Sequence, residues 1–238
     1  MRHLPGSLPI TIQRSDETTR RAGPSLSTSW DKDNSQEVGK MENINFVMDG
    51  KPVKAQTGNT ILQVARKTGI DIPTLCFDER LAPYGGCRLC TVEILKNNRS
   101  RLVTSCVYPA EEGLVVKTYS PKVVKIRKLL IELLLPLSPT GPLESLGKKY
   151  GVEKSRFTAV RTNCILCGLC VRYCAEVKKA NAIGFIGRGT EREIAVMPGM
   201  ASSTCAFCKE CFNLCPGGKI VSEIIEGNWI PGPRMENK

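Results

Sequence analysis

The alternation of apolar and polar positions begins at residue 43. Ile44-Asn45-Phe46-Val47-Met48 reads as a short strand, Asp49-Gly50 as a hairpin turn, and Lys51 to Gln56 as the return strand. From Thr60 to Gly69 the period changes to that of a helix. Ile61, Leu62, Val64 and Ala65 share one face, Asn59 stands where an N-cap belongs, and Gly69 stops the run. Further strands are expected at Cys90–Leu95, Arg101–Thr104 and Leu114–Thr118. Pro121 to Leu135 is a second helix. Its apolar stripe is Val123, Val124, Ile126, Leu129, Leu130, Leu133 and Leu134, with Lys122, Lys125, Arg127, Lys128 and Glu132 mostly opposite. A Pro/Gly linker and a short helix, Leu143 to Tyr150, follow. Ile183–Ile186 and Glu193–Val196 suit paired strands, and Ile220 to Glu226 a last helix. Strands and helices in separate blocks give an α+β class. Met1 to Lys40 has no period and is rich in Ser, Thr, Pro, Gly and charge, which reads as disorder.

The cysteines change this picture. Cys164, Cys167, Cys170 and Cys174 are spaced C-x2-C-x2-C-x3-C, and Cys205, Cys208, Cys211 and Cys215 repeat the spacing. That run is the ligand pattern of bacterial two-cluster ferredoxins, in which the fourth Cys of each run serves the other cluster. The expected 4Fe–4S sets are crossed: Cys164, Cys167, Cys170 with Cys215, and Cys205, Cys208, Cys211 with Cys174. Zinc is the plainer use of C-x2-C pairs. A zinc ribbon takes two ligands from each pair and has no use for a third Cys at x2 and a fourth at x3, both repeated.

Four more cysteines, Cys76, Cys87, Cys90 and Cys106, are spaced C-x10-C-x2-C-x15-C. Their order after a hairpin and a helix is that of a β-grasp ferredoxin. Cys87 and Cys90 can grip one iron, and Gly85-Gly86 lets backbone N–H groups approach sulfur closely. Spacing alone leaves open four unrelated thiols in a small domain.

Composition and charge narrow the functions. The 238 residues include twelve cysteines and one histidine, His3, with a formal net charge of +11. Twelve thiols at metal spacings imply a reducing compartment, hence the cytoplasm. Three centres of about −2 each, with their thiols deprotonated, would bring the sum to about +5. The basic residues are scattered, without a polybasic run, which argues against nucleic acid. The longest apolar run, Leu129 to Leu137, contains Glu132 and Pro136 and falls well short of the ~20 residues of a membrane span. Arg20-Arg21 has no apolar stretch after it, so it is not read as a secretion signal. No nicotinamide, flavin or P-loop fingerprint is present, since Gly184, Gly187 and Gly189 are in the wrong order for one.

Several segments resemble one family. Ile72-Pro73-Thr74-Leu75-Cys76, Gly86-Cys87-Arg88-Leu89-Cys90-Thr91-Val92-Glu93 and Glu112 to Thr118 are similar to the N-terminal 2Fe–2S region of the complex I 75-kDa subunit family. That family includes the diaphorase small subunit of NAD-reducing hydrogenases and the N-terminal part of iron-only hydrogenases. The likeness continues through Asn163 to Arg172 and Ala182 to Gly189, in the family's order. It implies that Cys76, Cys87, Cys90 and Cys106 hold a 2Fe–2S cluster, so the inventory is one 2Fe–2S and two 4Fe–4S clusters with no thiol left over. The resemblance also implies a soluble electron-transfer subunit, between a flavoprotein NAD(P)H-oxidising subunit and a catalytic oxidoreductase subunit. A free multi-cluster ferredoxin carrier is the alternative.

One departure stands out. In the family the second helix leads to another 4Fe–4S site, ligated by one His and three Cys; here Pro136 to Gly147 contains neither residue type. The expected organisation is 1–42 as a disordered tail or mis-assigned start, 43–120 as a 2Fe–2S β-grasp ferredoxin domain, and 121–160 as linker helices. A bacterial-type ferredoxin domain with two 4Fe–4S clusters at 161–226 and a C-terminal tail at 227–238 complete it. Met41 opens the patterned region, and Gln36-Glu37-Val38 is encodable by a purine-rich sequence that resembles a ribosome-binding site. Native protein is therefore expected to start at Met41. Intact mass of protein purified from its source checks this, and a mass that includes residues 1–40 would contradict it.

Overall fold

The computed structural model describes residues 42–158 and 162–221. All but the last residue of the tail expected at 1–42, the tail from residue 227 and most of the helix expected at Ile220–Glu226 lie outside them. Strand β1 (Asn43–Met48) pairs antiparallel with β2 (Lys51–Gln56). Asp49 and Gly50 both adopt positive φ, 49° and 80°. That is the geometry of a two-residue turn whose twist matches the strands it joins. The Asp49 carboxylate then accepts from Thr118 N and Thr118 Oγ1, at 2.7 and 2.5 Å, and fastens the turn to the end of a distant strand.

Strands β3 (Thr91–Lys96), β4 (Arg99–Thr104) and β5 (Val115–Lys117) complete a five-stranded sheet in the order β2-β1-β5-β3-β4. Only the β1–β5 pair is parallel. Helix α1 (Ile61–Lys67) lies over this sheet. Its Ile61, Leu62, Val64 and Ala65 join Phe46, Met48, Val53, Val92, Ile94 and Val116 in one buried cluster. The helix starts one residue later than the sequence suggested. Thr60, not Asn59, is the N-cap: its hydroxyl accepts from Gln63 N, while Thr60 N donates to Gln63 Oε1. This reciprocal pair satisfies two otherwise orphaned N–H groups.

Helix α2 (Pro121–Leu134) packs on β3 from the opposite side, so Thr91 and Glu93 are buried as well as Val92 and Ile94. Here the structure corrects the expected apolar stripe. The buried rail is Val123, Arg127 and Ile131, continued by Leu135, while Leu129 and Leu133 are exposed at 39% and 45%. Arg127 was expected on the charged face and is only 1% exposed. Its Nε and Nη2 donate to Leu89 O and Thr91 O at 3.1 and 2.8 Å, and its Nη1 to Tyr150 Oη at 3.0 Å. The guanidinium fork thus ties α2 to the carbonyls on either side of Cys90 and to helix α3 (Pro142–Tyr150). Periodicity could not reveal this, because the acceptors come from other elements.

The C-terminal half is thin in secondary structure. Helix α4 (Leu169–Arg172) runs into a π-helical turn, Tyr173–Val177. Strands β6 (Ile183–Ile186) and β7 (Glu193–Val196) form the expected hairpin. Helix α5 (Pro198–Cys208), which carries the start of the second cysteine run, is not among the elements the sequence suggested. A short helix α6 (Lys219–Val221) follows. The cores of the two halves are continuous. One buried cluster combines Leu75, Cys76, Leu81, Cys87 and Leu89 with Ile131, Leu135 and Leu143, and with Cys167, Leu169 and Tyr173.

Arg127→Lys keeps the charge but cannot reach all three acceptors. It is expected to destabilise the chain by about 3 kcal/mol, since each unsatisfied buried polar group costs about 1–3 kcal/mol. A lowered denaturant midpoint at unchanged iron content is the measurement; an unchanged midpoint would contradict the role given to Arg127.

Candidate iron–sulfur sites

Nine of the twelve cysteines are buried; Cys164, Cys208 and Cys215 are half-buried, and none forms a disulfide. The first four come together at the end of the sheet. Cys76 and Cys87 share a side-chain hydrogen bond, and so do Cys90 and Cys106. Backbone N–H groups surround the sulfurs. Leu75 N donates to Cys87 Sγ at 3.4 Å and Cys87 N to Cys76 Sγ at 3.3 Å. The Gly86 amide also serves Cys76 and the Gly85 amide serves Cys106. Gly85 has φ +68°, and at Gly86 an added Cβ would lie 2.7 Å from the Tyr84 ring.

These contacts set acidities. Hydrogen bonding from the Cys87 side chain pulls the Cys76 thiol down to about 6, against an opposing effect of burial. The Cys106 side chain pulls Cys90 down to about 7 in the same way. Their partners Cys87 and Cys106 are pushed up, first by that hydrogen bond and then by burial. Each pair thus shares a hydrogen bond that favours ionisation of one of its two thiols, and both must lose their protons to bind iron.

The eight later cysteines segregate into two groups. Cys167 and Cys170 have Cys164 and Cys215 as charge neighbours, whereas Cys205 and Cys211 have Cys174 and Cys208. Cys170 also has Cys211 as a neighbour, so the two groups adjoin. The cysteine loop reaches Cys164 and Cys167 through residues in the left-handed region, Asn163 (φ 52°), Leu166 (φ 52°) and Gly168 (φ 73°). The amides of Leu166 and Leu169 donate to Cys164 and Cys167, and Ala182 N donates to Cys174 Sγ at 3.2 Å. Burial pushes Cys167 and Cys211 up to about 12. Cys215 reaches the first group because Gly217 passes tightly over Asn163; a Cβ there would lie 2.2 Å from Asn163 O. A narrow cavity is lined by Cys174, Cys205, Cys208 and Cys211 with Ile183 and Phe212.

Donor type, burial and the N–H groups aimed at sulfur all suit iron–sulfur clusters. Among the described residues, no three His, Cys, Asp or Glu side chains converge closely enough to share a single metal ion. The thiolates of a 4Fe–4S cluster each bind a different iron and those of a 2Fe–2S cluster are shared two to an iron, so the thiols of one set stand further apart than the ligands of a single ion. A concavity of about 1050 Å3 lies elsewhere, lined by Leu102, Ile126, Leu129 and several lysines of α2, with no cysteine.

Sequence reasoning missed the polar junction between the two halves. Arg80, paired with Asp78 at 2.8 Å, stacks 4.6 Å over the Tyr173 ring and donates to Tyr173 Oη at 3.1 Å. Tyr173 Oη in turn donates to Glu210, which also pairs with Lys178. Arg172 donates through Nη2 to Ala82 O at 2.7 Å and stacks over Tyr84 at 4.8 Å. These residues carry no spacing signal, since each meets its partner across ~30–90 positions of chain.

Comparison with known proteins agrees with this geometry. The 2Fe-2S iron-sulfur cluster binding domain family matches residues 41–121, and the 4Fe-4S dicluster domain family matches residues 163–219. The iron-sulfur protein 1 of mitochondrial NADH dehydrogenase [ubiquinone] from Solanum tuberosum is 32% identical over 76% of this chain and 28% of its own length. The NADPH-Fe(3+) oxidoreductase subunit alpha of Geobacter sulfurreducens is also 32% identical, over 76% of this chain and 24% of its own. The chain is a homologue of the complex I 75-kDa subunit family. It spans about a quarter of the length of these relatives. A chain of NAD+-reducing [NiFe]-hydrogenase, solved in the H2-reduced state, superposes with a TM-score of 0.58 at 28% identity, covering 64% of this chain and 74% of that one. This homologue thus has a 2Fe–2S domain followed by a 4Fe–4S dicluster domain. Among the described residues, no helix is long and apolar enough to cross a membrane.

Gly217→Ala is expected to push Gly217 and Asn163 apart and so withdraw Cys215 from Cys164. The variant should lose about four irons, those of one cubane, and keep the other signals in EPR of the reduced protein. Full iron content with unchanged spectra would contradict the reading of this contact.

Proposed function

We propose that the chain is an electron-transfer iron–sulfur subunit of a soluble, multi-subunit NAD(P)-linked oxidoreductase. It would relay electrons between a flavoprotein NAD(P)H-oxidising subunit and a catalytic oxidoreductase subunit. In this reading Cys76, Cys87, Cys90 and Cys106 hold a 2Fe–2S cluster. Cys164, Cys167, Cys170 and Cys215 hold one 4Fe–4S cluster, and Cys174, Cys205, Cys208 and Cys211 the other. The clusters supply one-electron transfer. The chain supplies the thiols, the N–H groups that bond their sulfurs, and a dry connection from one set to the next.

The observation that carries the reading is continuity. Cys76 and Cys87 share a buried cluster with Cys167, and Cys170 has Cys211 among its charge neighbours. This supports reading the three thiol sets as one path, although the His-containing station of the family is absent. The relatives' names, which include NADH dehydrogenase and NADPH-Fe(3+) oxidoreductase, support the nicotinamide link.

The test is native purification with identification of co-eluting subunits, plus iron analysis. A flavoprotein partner and about ten irons per chain are expected, the sum of one 2Fe–2S and two 4Fe–4S centres. A monomer with no flavoprotein would point instead to a free ferredoxin carrier, and about fourteen irons would mean a further cubane. Cys170→Ser should damage one 4Fe–4S signal and spare the 2Fe–2S signal.

A further inference from the structure

Arg172 sits where the two halves meet. It ends α4, between Cys170 and Cys174, yet its side chain reaches into the loop that follows Cys76. Its side chain is only 12% exposed. Nη2 donates to Ala82 O at 2.7 Å, and Nε to Glu176 Oε1 at 3.4 Å. Glu176 Oε2 accepts from Ala82 N at 3.2 Å, which closes the clasp between the halves. The guanidinium stacks on Tyr84, whose ring also lies against Gly86 and Gly168. The remaining nitrogen, Nη1, is buried and has no hydrogen-bond partner.

An orphaned charged donor is costly in a folded chain and calls for an explanation. A clasp alone does not supply one, since Nε and Nη2 already make it. Ala82 and Tyr84 belong to the loop that joins Cys76 to Cys87, so the guanidinium lies against the loop of the first thiol set. With a cluster bound, the acceptors such a loop would offer Nη1 are sulfurs.

We propose that Arg172 is a positioning and potential-setting residue for the 2Fe–2S centre, its free Nη1 donating to a sulfur of that centre and its charge lying at the junction with the neighbouring 4Fe–4S set. The proposal rests on the functional reading above. Reduction adds a negative charge, so a buried cation and a hydrogen bond to sulfur both favour the reduced form. Glu176, the anion beside Arg172, acts in the opposite sense.

Redox titration of the full chain with its clusters, followed by EPR, tests this. Arg172→Gln should move the 2Fe–2S midpoint to more negative potential and shift the 4Fe–4S signals less. Arg172→Lys, which keeps the charge but not the fork, should fall between the variant and wild type. Glu176→Gln should move the midpoint the other way, and it keeps the proposal testable if Arg172→Gln does not fold. Unchanged 2Fe–2S midpoints at full iron content, or equal shifts of all three centres, would overturn the proposal and leave the functional reading intact. Wild-type protein without a 2Fe–2S signal would overturn both.

Discussion

The structure depends on two loops meeting at glycines, with the Tyr84 ring packed against both. A Cβ on Gly86 would come within 3.9 Å of Cys167 O, and one on Gly168 would lie 3.5 Å from Tyr84. Glycine at both points lets the thiol loop of the first half sit against the thiol loop of the second. The aliphatic residues around them, Leu75, Leu89, Ile131, Leu135 and Leu169, seal that contact from water. Everything proposed for this chain follows from the closeness: a path for electrons is a matter of which thiol sets are adjacent, and here Cys76, Cys87 and Cys167 are. The helix α2 makes the adjacency rigid, because Arg127 holds the carbonyls of Leu89 and Thr91 from one side while Ile131 and Leu135 pack on the other half.

Burial and charge are balanced around the sulfurs in a way that favours metal. Removed from water, Cys167, Cys170 and Cys211 resist ionisation, and iron must displace their protons. The loaded sites would then carry negative charge into a poorly solvated interior. Arg127 and Arg172 stand in that interior, fixed by carbonyls, a Tyr hydroxyl and a ring face, while Arg80 stacks on Tyr173 from the exposed side. The formal excess of +11 is thus partly structural, a reserve of cations placed beside thiolates.

Much of this was legible in the sequence. The Asp49-Gly50 hairpin, the face of α1, the β6–β7 pair and the limits of α2 follow from local period and turn chemistry, which act over a few residues. The cysteine spacings likewise encode loops that N–H groups can wrap. What escaped is what other elements decide. Arg127 looks like a surface residue until Leu89 and Thr91 present their carbonyls to it. Leu129 and Leu133 continue the apolar period but face outward, because the rail that meets β3 is turned to Val123, Arg127 and Ile131. Thr60 rather than Asn59 caps α1 because Gln63 is in register with it. The Arg80–Tyr173–Glu210 chain joins three segments distant in sequence, and no pattern within one segment announces it.

The central claim is that the 2Fe–2S set is the immediate neighbour of the first 4Fe–4S set. Magnetic interaction between the reduced centres measures this most directly, by pulsed EPR of spin relaxation on the fully reduced chain. The account predicts that the 2Fe–2S signal relaxes much faster when the 4Fe–4S centres are reduced than when they are oxidised. A 2Fe–2S relaxation rate that does not depend on the state of the other centres would contradict it.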